Sequence, residues 1–376
     1  MDQFRLTLVD GFAGGGMYRD AITKEDRFGS PLLMLRAMRD ANLAANNARK
    51  KEFKLDIEYF FIEKDRGAFE HLKTTLQGSE FRSVVEANAT LFNDTFKNRV
   101  GQIVEHIRSQ SDRRRAIFVL DQFGYSDVPM PQLRNILSEL ENAEIILTFA
   151  TDSLIDYLSS NETTQKLLEN VGIPIGKNEI LTLKQQQNWR QAIQRLLHRG
   201  IHENSGAKYY TPFFIRSKDA HRDFWLIHLS GHAKARDVMV GLHWSENTSS
   251  AHYGRSGLGM LGYDPTEDFR LTGQPVFFFD ESARSSTHEA LMGELPAKIH
   301  EYRKQGGVPF DTLFANLTNE SPATSEIFRG VIAELVKEGE IEVGDKTSTK
   351  NRRLGVQHGS DIIVPSKQKK IRWPRS

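Results

Sequence analysis

The sequence predicts an α/β protein: a doubly wound, mostly parallel sheet with a winged helix-turn-helix domain at its carboxyl end. Three observations carry this. Five short apolar runs, each ending on polar or small residues, alternate with helical periodicity through residues 6–152. Two aromatic-rich runs, Tyr209 to Ile215 and Trp225 to Ser230, are joined by a polar turn and read as a hairpin. From residue 285 onward, three helical stretches precede two β-type runs.

The first run, Leu6 to Val9, ends in Asp10 and passes at once into Gly11-Phe12-Ala13-Gly14-Gly15-Gly16, a strand delivering a ligand loop. Ser30 at an N-cap and Pro31 at the first helical position start a helix with Leu32, Leu35 and Met38 on one face. Ile57 to Ile62 is the second strand, ending at Glu63, and Phe69, Leu72 and Leu76 mark the helix behind it. Ser83 to Ala87 reads as the third strand, ending near Asn88, with the helical stripe Phe96, Val100, Ile103, Val104 and Ile107 after it. Ala116 to Leu120 stops at Asp121, and Glu144 to Phe149 is the fifth strand. A helix is expected around Gln187 to His198. Parallel sheets collect ligands at the carboxyl ends of their strands, so Asp10, Glu63, Asn88 and Asp121 are expected on one rim.

In the last part, helices are expected from Ser286 to Lys304, Phe310 to Leu317, and Thr324 to Lys337 with a stop at Gly339. Ile341 to Val343 and Ile362 to Val364 flank a basic tip holding Lys350, Arg352 and Arg353. The domain organisation expected is therefore 1–244 for the sheet domain, 245–284 for a Gly-, Ser- and His-containing linker or substrate loop, and 285–376 for the winged helix.

Composition narrows the function. The 376 residues hold 39% hydrophobic and 26% charged residues, enough for real cores in two domains. No apolar run reaches membrane-spanning length and no leader pattern is seen, so a cytoplasmic protein without a membrane partner is expected. With no cysteine, disulfides, thiolate zinc sites and a cysteine nucleophile are excluded. Residues 346–376 carry nine Lys or Arg against the single acid Asp361, while the rest of the chain sums to −7. A basic end on an acidic body points to a polyanion such as DNA or RNA.

The glycine loop lacks the third glycine of a dinucleotide fingerprint and the Lys-Ser/Thr of a P-loop. What it does show is D-x-F-x-G-x-G, formed by Asp10, Phe12, Gly14 and Gly16, which resembles the first motif of class I S-adenosylmethionine-dependent methyltransferases. At the next strand end, the two oxygens of Glu63 suit the two hydroxyls of a ribose. A PD-(D/E)xK nuclease is disfavoured because Glu63 and Lys64 are adjacent on a strand and face opposite ways.

Asp121-Gln122-Phe123-Gly124 ends the fourth strand, where methyltransferases of exocyclic amino groups carry D/N-P-P-F/Y. There Asp121 and the carbonyl of Gln122 would accept the amino hydrogens while Phe123 or Tyr125 stacks on the base. Gln122 stands where proline is usual, which loosens the turn. His228 and His232 straddle a strand end without an obvious third ligand, so no metal is expected.

Taken in order, D-G-F-A-G-G-G at Asp10 to Gly16, G-S-P-L at Gly29 to Leu32, F-I-E-K-D at Phe61 to Asp65, D-Q-F-G at Asp121 to Gly124 and L-I-H-L-S-G-H-A-K at Leu226 to Lys234 resemble the bacterial three-Cys-motif partner proteins. That resemblance implies a seven-stranded, Rossmann-like methyltransferase body closed by the hairpin, with S-adenosyl-L-methionine as cofactor. It also implies Asn88 against the adenine and a protein partner that brings the cysteines. The function expected is methyl transfer to an exocyclic amino group of a nucleobase. The alternative is a catalytically weak or inactive methyltransferase-like binding protein.

Overall fold

The computed structural model describes residues 3–20, 23–47, 49–110, 114–121, 127–149, 181–182, 185, 200–216, 223–246, 250–252, 257–258, 277–278, 281–345 and 352–366. The chain divides into two compact units, residues 1–210 with 219–232, and residues 211–218 with 233–376. The strand Tyr209–Arg216 begins in the first unit and continues into the second, and the helix Ala233–Glu246 belongs with the second.

In the first unit the elements follow in the order β1 (Gln3–Asp10), β2 (Met17–Arg19), β3 (Asp26–Phe28), α1 (Ser30–Asn47), β4 (Lys54–Glu63), α2 (Arg66–Gly78), α3 (Arg82–Asn88), β5 (Ala89–Asn93), α4 (Phe96–Gln110), β6 (Arg115–Asp121), α5 (Met130–Glu139), β7 (Ala143–Phe149), β8 (Tyr209–Arg216) and β9 (Asp223–Ser230). Seven strands of a nine-stranded sheet run β8-β9-β7-β6-β1-β4-β5, and two short strands, Ser250–His252 and Phe277–Phe278, continue it beyond β8. β1 is central, parallel to β4 and β6, and β9 is antiparallel to β7. With the two-stranded hairpin β2–β3 set aside as a separate pair, the seven follow the order 3-2-1-4-5-7-6, a doubly wound, mostly parallel sheet of methyltransferase-like form. The switch point, where the order reverses, falls between β1 and β6, beside Asp10.

Helices cover both faces because each presents an apolar stripe. α2 buries Leu72 and Leu76; α4 buries Phe96, Val100, Ile103, Val104 and Ile107, the stripe expected from the sequence. Inward residues of β1 and β4, among them Leu8, Tyr59 and Phe61, complete one core.

The third strand is a correction. Ser83 to Ala87 lies in α3, which buries Val85, and the strand follows it at Ala89–Asn93. The β-branched pair Val84-Val85 suggested a strand, but α3 buries Val85 and packs Val84 partly against the same core, while the true edge strand is half-polar and gives little signal. Ser30 is itself the first helical residue of α1, with Gly29 before it. The helix expected around Gln187 to His198 lies outside the described residues.

In the second unit, α6 (Ala233–Glu246) precedes β10 (Ser250–His252), β11 (Phe277–Phe278), α7 (Glu281–Glu301), β12 (Val308–Pro309), α8 (Phe310–Leu317), α9 (Ser325–Glu338), β13 (Ile341–Gly344), β14 (Arg352–Arg353) and β15 (Ile362–Pro365). Helix α6 buries Val240 and leaves Val238 and Leu242 exposed. α7, α8 and α9 with the sheet β12-β15-β13-β14 form a winged helix-turn-helix around Leu295, Phe310, Phe328, Leu335 and Ile363. Thr324 caps α9 by accepting from the Ile327 amide, and Gly339 ends it at φ +76°, the stop expected there. Among the described residues no helix is long and apolar enough to cross a membrane.

Candidate functional site

The site is built where β1 gives way to its loop. The Gly11 amide donates to the Val119 carbonyl of β6 at 3.0 Å, and the Ala13 amide to the Ile62 carbonyl of β4 at 2.9 Å. The loop is thereby stitched to the last residues of both neighbouring strands. Gly14 and Gly16 have φ of +58° and +77°, which L side chains rarely adopt. A Cβ on Gly16 would meet Leu72 Cδ1 at 2.8 Å, and one on Gly11 would meet Leu120 Cδ2 at 2.7 Å.

Glu63 closes the loop from the side. Its Oε2 accepts from the Gly14 amide at 2.8 Å and its Oε1 from the Asp65 amide at 2.7 Å, so each oxygen keeps a lone pair for a further donor. Asp65 in turn caps α2 through the Ala68 amide. Asp10 is buried, with Oδ1 accepting from Phe12 N at 3.1 Å and Oδ2 meeting no partner in hydrogen-bond geometry. Burial pushes its carboxyl up to about 6, opposed by the nearby Ser30 hydroxyl and the Phe12 amide and reinforced by the charges of Asp121 and Glu63. Phe12 packs on the buried Phe96, ring centroids 6.2 Å apart, and so supports the loop from below.

Asp121 ends β6 opposite Thr148, whose hydroxyl donates to Asp121 Oδ1 at 2.5 Å. Asp10, Glu63 and Asp121 therefore share one rim with Gly14 and Gly16. Gln122 and Phe123 lie outside the described residues. Asn88 is not brought to this rim: it is exposed at the end of α3, before β5 begins, about 16 Å of strand from the carboxyl end. The end of β5 instead carries Asn93, which donates to the Glu63 carbonyl at 2.9 Å, and Asp94, whose amide donates to the same carbonyl at 3.1 Å.

Three neighbours escaped the sequence reading. His71 of α2 contacts the Gly15 carbonyl through Nδ1 at 2.7 Å. Thr148 holds Asp121. Tyr18, on β2, rests against Gly14. A tyrosine two residues after the glycine run was the available signal, but only the hairpin turns it back over the loop.

Arg353 of the wing places Nη1 3.0 Å from both oxygens of Asp361, which is buried and also accepts the Gln357 and His358 amides. Its guanidinium thus serves as a structural tie within the wing, beside its proposed part as a phosphate ligand. The Arg352 side chain and all of Lys350 lie outside the described residues.

The turn between α8 and α9 is also engaged. Buried Arg236 of α6 donates to Thr318 Oγ1 at 2.7 Å and to the Ser321 carbonyl at 2.6 Å, and Trp244 Nε1 donates to the Pro322 carbonyl at 2.8 Å. Asp237 accepts from the Ser325 amide and hydroxyl, both at 2.7 Å. The H-A-K-A-R-D stretch thus docks a helix on the first turn of α9, the end that enters the groove in a DNA-bound helix-turn-helix.

His228 meets Glu144 at 3.0 Å, and His232 is not beside it as a ligand; no metal-binding cluster occurs among the described residues.

The fold and rim define a methyltransferase-like body with a winged helix at its carboxyl end. The family described as the GMT-like wHTH domain matches residues 262–348, beginning before α7 and ending short of β14. No protein curated for function matches the sequence. Similar solved structures include protein LPL1258 from Legionella pneumophila (9% identity, 60% of this chain and 77% of that one, TM-score 0.35). Others are the plantazolicin methyltransferase BamL in complex with SAH (12%, 60% and 77%, 0.27) and the cyclopropane synthase MmaA2 from Mycobacterium tuberculosis (8%, 61% and 79%, 0.23). Likenesses of this size carry no weight, and the assignment rests on the strand order and register.

Proposed function

We propose that the chain is an S-adenosylmethionine-dependent methyltransferase acting on an exocyclic amino group of a nucleobase in DNA or RNA. The observation that carries this is the convergence of Gly14, Gly16, Asp10, Glu63 and Asp121 at the switch point of one sheet. Gly14 and Gly16 hold backbone conformations that L side chains rarely adopt and keep the loop close to the strand ends, and the Asp10 and Glu63 carboxylates offer acceptors to a ligand rich in donors.

Glu63 is suited to the ribose hydroxyls, Asp10 to a donor brought by the cofactor, and Asp121 to the amino hydrogens of the base. S-adenosylmethionine, when bound, supplies a methyl group on an already activated sulfonium. Asp121 would accept the amino hydrogens and hold the nitrogen lone pair toward that methyl group, and the proton the nitrogen loses would pass through the Asp121 carboxylate to water. Gln122 and Phe123 complete this arrangement in the proposal, by backbone acceptance and by stacking.

The test is calorimetry with S-adenosylmethionine, followed by transfer of tritiated methyl to total DNA and total RNA, with Asp121→Ala as control. No binding at millimolar cofactor sinks the cofactor reading; incorporation that survives Asp121→Ala sinks the assigned role.

A second reading is a methyltransferase-like binding protein with little catalysis, working with a three-cysteine-motif partner as the family resemblance implies. The engagement of the α8–α9 turn by α6 favours it, because a winged helix with that turn occupied is not free to enter a groove. Cofactor binding without transfer to any nucleic acid pool would support it.

A further inference from the structure

We propose that Tyr18 is the aromatic wall of the donor site and makes that site select a positively charged sulfonium over the neutral thioether left after transfer. This rests on the methyl-donor reading above and deepens it.

The hairpin β2–β3 is inserted between the glycine loop and α1. It is held shut at its base by the Gly29 amide donating to the Gly16 carbonyl at 2.8 Å, and near its tip by Asp20 N to the Glu25 carbonyl at 2.8 Å and by Arg27 to Asp20 at 2.9 Å. Tyr18 is therefore carried by a fixed element. Its ring spans two glycines: a Cβ on Gly14 would collide with the phenol oxygen, and a Cβ on Gly29 would meet Tyr18 Cε2 at 2.8 Å. Glycine at 29, in the G-S-P-L motif, thus has a reason that no helix start requires.

Half of the Tyr18 side chain, 52%, stays exposed above the loop although it belongs to no core. An aromatic ring left open at the edge of a ligand cradle has a face to offer. The charges around it decide which ligand. Asp10, Glu63 and Asp121 all act on the phenol and, with partial burial as the larger cause, raise it above its ordinary value. The phenol overlies Gly14, whose amide is held by the Glu63 carboxylate, and Asp10 and Asp121 end the two adjacent strands of the same rim, so this wall favours a cation over a neutral group by the ring quadrupole and the carboxylate field together. The product lacks the charge, so the same wall loosens it after transfer.

The experiment measures dissociation constants of S-adenosylmethionine, S-adenosylhomocysteine and sinefungin, an amine-bearing cationic analogue, for the wild type, Tyr18→Phe and Tyr18→Leu. The wild type and Tyr18→Phe are expected to prefer both cationic ligands. Tyr18→Leu is expected to weaken the cationic ligands by roughly tenfold while leaving S-adenosylhomocysteine unchanged. Equal weakening of all three ligands, or no change, overturns the proposal while the methyl-donor reading stands. Failure of the wild type to bind any of the three overturns both. Tyr18 is exposed and outside the core, and near-equal melting temperatures of the three proteins check that folding is intact.

Discussion

Glu63 Oε2 lies 2.8 Å from the Gly14 amide nitrogen, across 49 residues of sequence, and this bond fixes the loop after β1 to the end of β4. The second oxygen faces another donor, the Asp65 amide. Glutamine would match only one of the two, leaving an NH2 group against an N–H. Glu63→Gln is expected to cost about 1–2 kcal/mol in denaturant unfolding and to weaken S-adenosylmethionine by at least tenfold. Unchanged affinity would remove Glu63 from the site.

The Asp10 carboxyl gives the protein a pH signature. Its folded value is about 6 against 3.8 unfolded, so between these values the folded state holds the extra proton. Stability is therefore free of the Asp10 penalty below about pH 4, declines as pH rises through 6, and carries the full penalty above that, on the order of 2–3 kcal/mol. Asp10→Asn, which keeps an acceptor for Phe12 N, is expected to raise the melting temperature at pH 7.5 and to leave it unchanged near pH 4. Equal shifts at both pH values would contradict this.

Glycines at 16 and 101 should respond in opposite ways to alanine. Gly16→Ala meets positive φ and Leu72 Cδ1, and is expected to destabilise by about 1–3 kcal/mol. Gly101, inside α4 with open space where a Cβ would stand, should gain about 0.5–1 kcal/mol. Chemical denaturation of both variants checks the pair.

Asp237 anchors the first turn of α9. Burial raises its carboxyl, but the Ser325 amide and hydroxyl and Lys234 more than offset this and hold it below the usual range. Its contribution is therefore present above the unfolded value and is lost as pH falls through the folded one. Asp237→Ala is expected to cost about 2–3 kcal/mol, because the Ser325 amide loses its acceptor, and to open the Thr318 to Ser325 turn to protease. Protease resistance equal to the wild type would show the contact to be dispensable.

Arg353→Met separates structure from polyanion binding. With Asp361 left buried and unpaired, the melting temperature should fall, while affinity for a single-stranded oligonucleotide should stay within about twofold and keep its salt slope. A slope reduced by about one would restore Arg353 as a phosphate contact.

The sequence by itself determined the alternation of strands and helices, the glycine loop, and the stop of the winged helix's third helix at Gly339. These are local properties: apolar period, backbone freedom and capping chemistry act within a few residues. It misread Ser83 to Ala87, where β-branched residues outweighed a short helix, and with it placed Asn88 on a rim that Asn93 and Asp94 occupy. Tertiary structure alone decided the rest. Register between distant strands set Glu63 against Gly14, the β2–β3 hairpin folded Tyr18 over the loop, and packing made Arg353 and Arg236 ties within the fold. Those pairings depend on which surfaces meet, and that is a property of packing that periodicity does not encode.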